Sequence, residues 1–447
     1  MLGEKETRKI CENVLARCKD GQAEVLLNFT DSSLTRFANN TIHQNVAERD
    51  AELSVRFFIG KQMGTASTNR LDAAGLDLVV ERARRNAQAS PADPDYPGLP
   101  SPAQYPQVQC FDPSTAAYTP EGRAQQVGTV CRLADEKGLN ASGAFSTGCG
   151  ELVIANSNGV FAYHVSSSAD FQSVVMAEDA SGRAHGSDWQ ASRVDVETLG
   201  RQAIETAERG RNPRKIEPGE YPVVLEHYVT EDILSMLNFY GMGALSLLEG
   251  RSWMNERIGK KVMSDQVTIW DDGLDPAGTP LPFDFEGVPR QRVEIVTQGV
   301  PVGPVYDRYT GAKAGKPSTG HALPPNARGM GPVAMHLFMA AGSSSLEEMI
   351  RTTERGLYIN RFWYTRLVHP SACTITGMTR DGVFMIENGE IAYPVKNLRF
   401  TQSYVEALDD VQAVSRDTHL LLGEYGGFGM RVPALKLGHF NFTGNTA

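Results

Sequence analysis

The sequence predicts an α+β protein in two parts, an N-terminal α/β domain and a β-rich C-terminal domain. Three observations predict it. Strand-like alternation and helical periodicity fall in separate blocks rather than in a regular β-α-β rhythm. The stretch Gly210 to Gly219 carries Pro213 and Pro218 and no apolar period, so it reads as a boundary. The length of 447 residues, at ~150 per domain, suggests two or three units. The division is therefore 1–210, a linker at 211–219, and 220–447, with a proline-rich connector at 90–110.

The elements follow in order. Residues 4–19 read as a helix with Ile10, Val14 and Leu15 on one face. Strands are expected at 24–29, 34–46, 52–58 and 63–68, with a turn at Asp31-Ser32-Ser33. Asp72 is a good N-cap, and Leu76, Val79, Val80, Ala83 and Ala87 form the stripe of the helix it opens. Pro91, Pro94, Pro97, Pro100, Pro102 and Pro106 then mark a connector, because proline fixes φ and lacks an amide donor. A helix at 121–137 precedes four short strands at 142–147, 151–155, 160–166 and 170–178. The first part closes with a helix from Asp195 to Arg209.

The second part opens with a strand at 221–225 and a helix at 230–248. Strands are expected at 266–270, 292–298 and 333–341, and long loops at 300–330, which is dense in Gly and Pro. Ser345 and Glu348 form a capping box for a helix running to Arg355. Strands at 374–380 and 382–386 lead into Asn388-Gly389, a pair suited to a type I′ hairpin.

Composition narrows the function. Lys and Arg total 43 against 53 Asp and Glu, a net charge of −10. That balance argues against nucleic-acid backbone as the main partner. No apolar run reaches the ~18 residues of a membrane span. The six cysteines show no C-x-x-C spacing, and Met1-Leu2-Gly3-Glu4-Lys5 does not open a secretory signal. Reduced thiols and a cytoplasmic location are expected.

Motifs that carry chemistry are sparse. His227 and Glu231 lie one helical turn apart, a spacing that can hold a metal, but no third ligand is near in sequence. The alternative is a helix-entry histidine with Glu231 near the positive helix end. Gly311-Ala312-Lys313-Ala314-Gly315-Lys316-Pro317 resembles a phosphate loop, with one residue too few between its glycines and no Ser or Thr after the lysine. His369 and Cys373 could pair as a thiol nucleophile and base, although buried inert cysteine is commoner. Asp271-Asp272-Gly273 reads as a turn with two Asx caps, with metal ligation by the paired acids as the alternative. Arg351, Arg355, Arg361 and Arg366 interleave with Tyr358, Phe362, Trp363 and Tyr364, a composition suited to a peptide groove or a subunit interface, with plain packing as the equal alternative.

Four stretches together resemble the TldD/PmbA family, historically called modulators of DNA gyrase. They are Arg36 to Gln44, Gly60 to Asn69, Asp271-Asp272-Gly273 leading to Phe285-Glu286-Gly287-Val288-Pro289-Arg290-Gln291, and Ile386 to Asn397. Their order and spacing match over nearly the whole chain. The resemblance implies a two-domain fold and a cytosolic zinc peptidase acting on unfolded or extended peptides. Its TldD-like branch carries His-Glu-x-x-x-His and a later cysteine as the zinc site. Its TldE (PmbA)-like branch lacks them and serves as the partner.

This chain departs from the zinc branch. Aligned on Pro222-Val223-Val224-Leu225, the two histidines become Ser235 and Tyr240 and the glutamate becomes Met236. Aligned on Val432-Pro433, Tyr425 stands at the cysteine. The resemblance thus implies no catalytic residue and no metal here, with zinc in a TldD-like partner. The expected assembly is a hetero-oligomer with that partner, or a homodimer. Arg361, Trp363 and Arg366 are the candidate substrate or interface residues, and His227 and Glu231 the candidates for a relocated metal site. A stand-alone hydrolase with a metal or thiol site, or a peptide- or nucleic-acid-binding module, are the alternatives. Peptide capture by strand addition is expected at edges near 333–341 and 374–380.

Overall fold

Strand alternation in the N-terminal half runs through the expected turns. The computed structural model describes residues 1–422 and 429–446. Strand β1 (Gln22–Ala38) and strand β2 (Thr41–Ile59) form one long hairpin, closed by Asn39 and Asn40 at φ 51° and 56°. Asp31-Ser32-Ser33 is not a turn, because β1 is paired on both sides there. Asp31 also meets Arg49 across the hairpin at 2.7 Å. Strand β3 (Gln62–Thr68) follows. The four short strands expected after the connector merge into two, β4 (Asn140–Asn156) and β5 (Phe161–Met176). Gly148 keeps β4 against β1, since a Cβ there would lie 2.8 Å from the Asp31 carbonyl. With β6 (Ser181–Asp188), the antiparallel sheet has the order β3-β2-β1-β4-β5-β6.

Helices cover one face of this sheet. They are α1 (Glu4–Leu15), α2 (Ala73–Ala89), the short α3 (Pro113–Ala116), α4 (Pro120–Glu136) and α5 (Val196–Arg209). Asp72 caps α2 by accepting from the Gly75 amide. Val25, Leu27, Val55 and Phe57 share a core with Val79 and Ala83 of α2. Phe37, Phe145 and Phe171 share another with Val127 of α4 and Ala203 of α5. The opposite face of β1 carries Glu24, Leu26 and Asn28, as period-two alternation requires.

The second half starts with β7 (Gly219–Leu225) and α6 (His227–Leu237). The expected helix at 230–248 starts three residues earlier and does not run straight through. A π-turn at Asn238–Met242 interrupts it before α7 (Ala244–Leu248). Outside groups draw the chain away from α-helical pairing: Trp253 Nε1 donates to the Leu237 carbonyl at 2.8 Å and Ser252 Oγ to that of Gly241 at 2.7 Å.

Strands β8 (Ile269–Asp271), β9 (Val293–Thr297) and β10 (Val300–Pro301) precede α8 (Arg308–Ala314), a helix inside the expected loop region. Then come β11 (His336–Met339), α9 (Leu346–Arg351), β12 (Arg355–His369), β13 (Thr374–Glu387) and β14 (Glu390–Pro394). The chain ends with β15 (Leu398–Ser403), α10 (Tyr404–Asp409), β16 (Val411–Leu422) and β17 (Gly429–Asn445). The sheet order is β10-β9-β8-β11-β17-β15-β13-β12-β7, with β14 on β13 and β16 on β17. Because β7 also pairs with β17, the strands β17-β15-β13-β12-β7 close a ring. Val229, Ile233 and Leu237 of α6 share the core with Leu225, Leu357 and Leu435 from that ring. The expected peptide-capturing edges are therefore interior: β11 lies between β8 and β17, and β13 between β12 and β15. Among the described residues no helix is long and apolar enough to cross a membrane.

The two sheets are joined by buried charge. Arg56 holds Glu24 through two hydrogen bonds at 2.8 and 3.0 Å. Arg328 reaches Glu24 at 2.8 Å and Glu286 at 2.9 Å.

Candidate functional site

Helix α6 brings Glu231 and Ser235 together, one turn apart, with Ser235 Oγ donating to Glu231 Oε1 at 3.4 Å. Met236 is partly buried against the C-terminal core. Tyr240 lies in the π-turn with its ring edge-on to Phe239 at 5.1 Å. A hydroxyl bonded to a carboxylate, a thioether and a phenol are poor company for Zn²⁺. These side chains do not fit the ion. Among the described residues no group of three or more His, Cys, Asp or Glu is placed to hold a metal. Tyr425 lies outside the described residues.

His227 is at the first turn of α6, with Nδ1 3.0 Å from Glu226 Oε2. Tyr358 donates to the other oxygen, Oε1, at 2.7 Å. Burial pushes the Glu226 carboxyl up, but the hydrogen bonds and charge of His227 and the Tyr358 hydroxyl outweigh it and hold it at about 2. The His227 ring stacks on His419 at 3.9 Å. A polar cavity of about 690 Å³ opens beside this group, between α5 and β16.

The aromatic and arginine run is strand β12, and its residues separate by face. Arg361 is 7% exposed and its Nε donates to Asp381 Oδ2 at 2.6 Å. Ser181 of β6 donates to the other oxygen at 2.5 Å. Arg361 is thus an internal seam residue rather than a surface for a substrate or a partner. Trp363 is half-buried between the guanidinium groups of Arg361 and Arg380, at 4.8 and 5.0 Å. Arg366 is exposed and stacks on exposed Tyr364 at 4.3 Å.

Two other sequence candidates have structural explanations. Asp307 and Thr310 form a capping box that opens α8, and Gly315 ends it in the left-handed region at φ 64°. The apparent phosphate loop is therefore the end of a helix, with Lys313 paired to Asp95 at 2.9 Å. Cys373 is fully buried, and burial pushes its thiol up to about 12, where little thiolate exists.

Asp271 is more than a turn cap. It is fully buried, with Oδ1 2.8 Å from His321 Nε2 and Oδ2 accepting from the His336 amide at 2.6 Å. Burial raises this carboxyl, but His321 outweighs burial and holds it below its ordinary range.

The feature that sequence reasoning missed is a cleft of about 550 Å³ between the two sheets. Its floor is the uncovered face of the N-terminal sheet. Ladder register aligns Glu52, Asn28, Leu152 and His164 in one row across β2, β1, β4 and β5. Residues from the C-terminal half face this floor, among them Pro280, Phe285, Asn326 and His336. Burial holds His164 down to about 4, and burial followed by the nearby Arg290 charge holds His336 down to about 3. Nε2 of His164 and Nδ1 of His336 are buried without a hydrogen-bond partner. Nothing in the local sequence marks these positions, because the strands that supply the row lie far apart in the chain.

The profile of the PmbA/TldA metallopeptidase C-terminal domain matches residues 218–444. Those of domain 1 and the central domain match residues 23–87 and 123–211. The metalloprotease PmbA of Escherichia coli O157:H7 is 25% identical over 438 residues, covering 92% of each chain. The metalloprotease PmbA homolog of Haemophilus influenzae is 27% identical over 386 residues, covering 82% of this chain and 81% of that protein. The crystal structure of TldE from Thermococcus kodakarensis has the same fold, with a TM-score of 0.90 at 19% identity over 97% of this chain and 100% of its own.

Proposed function

The chain belongs to the TldD/PmbA family, and we propose that within it this protein is a TldE-like, non-catalytic subunit of a cytoplasmic zinc metallopeptidase acting on extended or unfolded peptides. One observation carries the reading. By the resemblance, the ligands and base of the zinc branch would fall on the turn of α6 that carries Ser235 and Met236, and the helix breaks there into the π-turn Asn238–Met242 that holds Tyr240. Metal-activated water needs imidazole, thiolate or carboxylate ligands around an open position. The scaffold around that gap is intact, which supports a retained surface rather than a decayed enzyme.

The partner in this reading is a TldD-like chain that brings the zinc. Co-expression with a relative carrying His-Glu-x-x-x-His, then size exclusion and proteolysis of an unfolded substrate, tests it. Co-elution and faster proteolysis in the complex are expected. Separate elution, with equal proteolysis by the zinc-bearing chain alone, overturns the partnership.

A second reading has one observation in its favour. Tyr358, Glu226 and His227 form a chain that orients an imidazole beside a cavity, as a general base requires. Peptidase activity in the isolated chain, lost in His227→Ala, would favour a stand-alone hydrolase.

A further inference from the structure

The inter-sheet cleft has the lining of a ligand site. Among the described residues that line it there is no Lys or Arg, while Glu52 and Asp188 bring two carboxylates. Asp188 is partly engaged, with Oδ1 accepting from the Gln190 amide and Oδ2 3.8 Å from Arg193. Glu52 is exposed at the rim. The apolar surface comes from Leu26, Leu152, Leu281, Phe285, Trp189 and Met335. His164 and His336 are 9% and 5% exposed; Nδ1 of His336 has no hydrogen-bond partner, and the His164 ring donates to the Pro280 carbonyl, which leaves the lone pair of its other nitrogen to accept. A buried polar atom left unpaired costs about 1–3 kcal/mol, so a ligand that supplies a donor recovers this cost. With both rings neutral near pH 7, a neutral imidazole offers a lone pair, and a lone pair seeks an N–H or O–H. Such a lining repels phosphate and carboxylate and favours N–H donors on an apolar body.

The row geometry sets the length. Glu52 and His164 are separated by three inter-strand steps, or about 14 Å. An extended peptide of about four residues spans that distance.

We propose that this cleft binds a short apolar peptide segment bearing a primary ammonium, with the ammonium against Glu52 and a peptide N–H at His164. The ammonium is either a chain's amino terminus or a lysine side chain. This deepens the peptide-handling reading above and rests on it, but it does not need the partner. The cleft excludes polyanions, so it is not a nucleic-acid groove.

The test is calorimetric titration of the full chain, alone and in the co-purified complex, with three probes. They are Leu-Leu-Leu-Leu-amide with a free amino terminus, its N-acetylated form, and N-acetyl-Leu-Leu-Leu-Lys-amide. Quenching of Trp189 fluorescence, compared with a Trp189→Phe control, places the binding in the cleft. The free amine should bind about fivefold tighter than its acetylated form, the scale of a partly exposed ion pair. Glu52→Gln, a rim substitution that leaves the fold intact, should remove that preference. His164→Phe should weaken all probes by about fivefold, the loss of one hydrogen bond. Tight binding of the lysine probe assigns the side chain as a source of the ammonium, and its failure assigns the amino terminus. Equal binding of free and acetylated peptides, or no binding by either the chain or the complex, overturns the proposal. If the probes bind and the two chains still elute separately, only the partnership fails.

Discussion

Arg328 Nη2 donates to Glu24 Oε1 at 2.8 Å, joining residues 304 positions apart in the chain. Glu24 is 1% exposed and accepts from Arg56 as well, while Arg328 also holds Glu286. Burial raises the Glu24 carboxyl, and the two guanidinium groups outweigh it. Removing one member of a buried charged cluster strands the others and costs about 3–5 kcal/mol. Glu24→Gln and Arg328→Met are each expected to lower stability on that scale in denaturant unfolding. The double variant should lose less than the sum, because it leaves fewer charges unpaired. Additive losses would show that the groups do not act as one cluster.

The face of β12 divides two kinds of arginine. Arg361→Ala takes from buried Asp381 its guanidinium at 2.6 Å and leaves it Ser181 and the more distant Arg380 at 3.8 Å, and a loss of about 3 kcal/mol in stability is expected. Arg366→Glu changes an exposed side chain, and a change within about 0.5 kcal/mol is expected. If β12 contributes to the proposed interface, Arg366→Glu and Trp363→Ala should loosen the complex in size exclusion while circular dichroism stays the same. Assembly unchanged in both would place the interface elsewhere.

Metal content separates the two readings of α6. Elemental analysis after purification without chelator should find no stoichiometric zinc, since Ser235, Met236 and Tyr240 supply no strong ligand. Near one zinc per chain, lost in His227→Ala, would instead make His227 a ligand.

Acid should weaken the fold through histidines held neutral by burial, His164 and His336 in the cleft and His419 beside His227. His164 and His336 are held down to about 4 and about 3 in the folded chain, against ~6.5 when unfolded. The folded state holds them neutral, so their contribution is present above ~6.5 and lost as pH falls toward 4. Each adds a slope of about 1.4 kcal/mol per pH unit in that window. Denaturant unfolding at pH 7, 6 and 5 should show the loss, and His336→Gln should flatten it by about one such slope. An unchanged slope would show that His336 is not held neutral by the fold.

Gly241 shapes the site through its missing side chain. A Cβ there would lie 2.0 Å from Trp253 Cδ1, and that indole is fully buried. Gly241→Ala should cost about 2 kcal/mol by overpacking. A variant as stable as the parent would mean that the π-turn can shift to accept it.

Capping and turn chemistry were legible because they are local. Asp72 before α2 and Asn388-Gly389 between β13 and β14 act through neighbours a few residues away. Strand length was not legible. Asp31-Ser32-Ser33 has turn chemistry, yet pairing on both sides holds it in β1. The aromatic run at 358–364 looks like an interface in composition. Only the sheet shows that Arg361 turns inward to Asp381 while Arg366 stays outside.

By itself the sequence determined the α+β class and the family resemblance, and it put Ser235, Met236 and Tyr240 where that resemblance expects the zinc branch's ligands and base, because these depend on which side chains are present and in what order. Tertiary structure alone decided the inter-sheet cleft, the row from Glu52 to His164, and the burial that keeps His164 and His336 neutral. Those depend on strand register between distant segments and on desolvation. Each is a property of residues brought together by pairing, so no local window of sequence contains it.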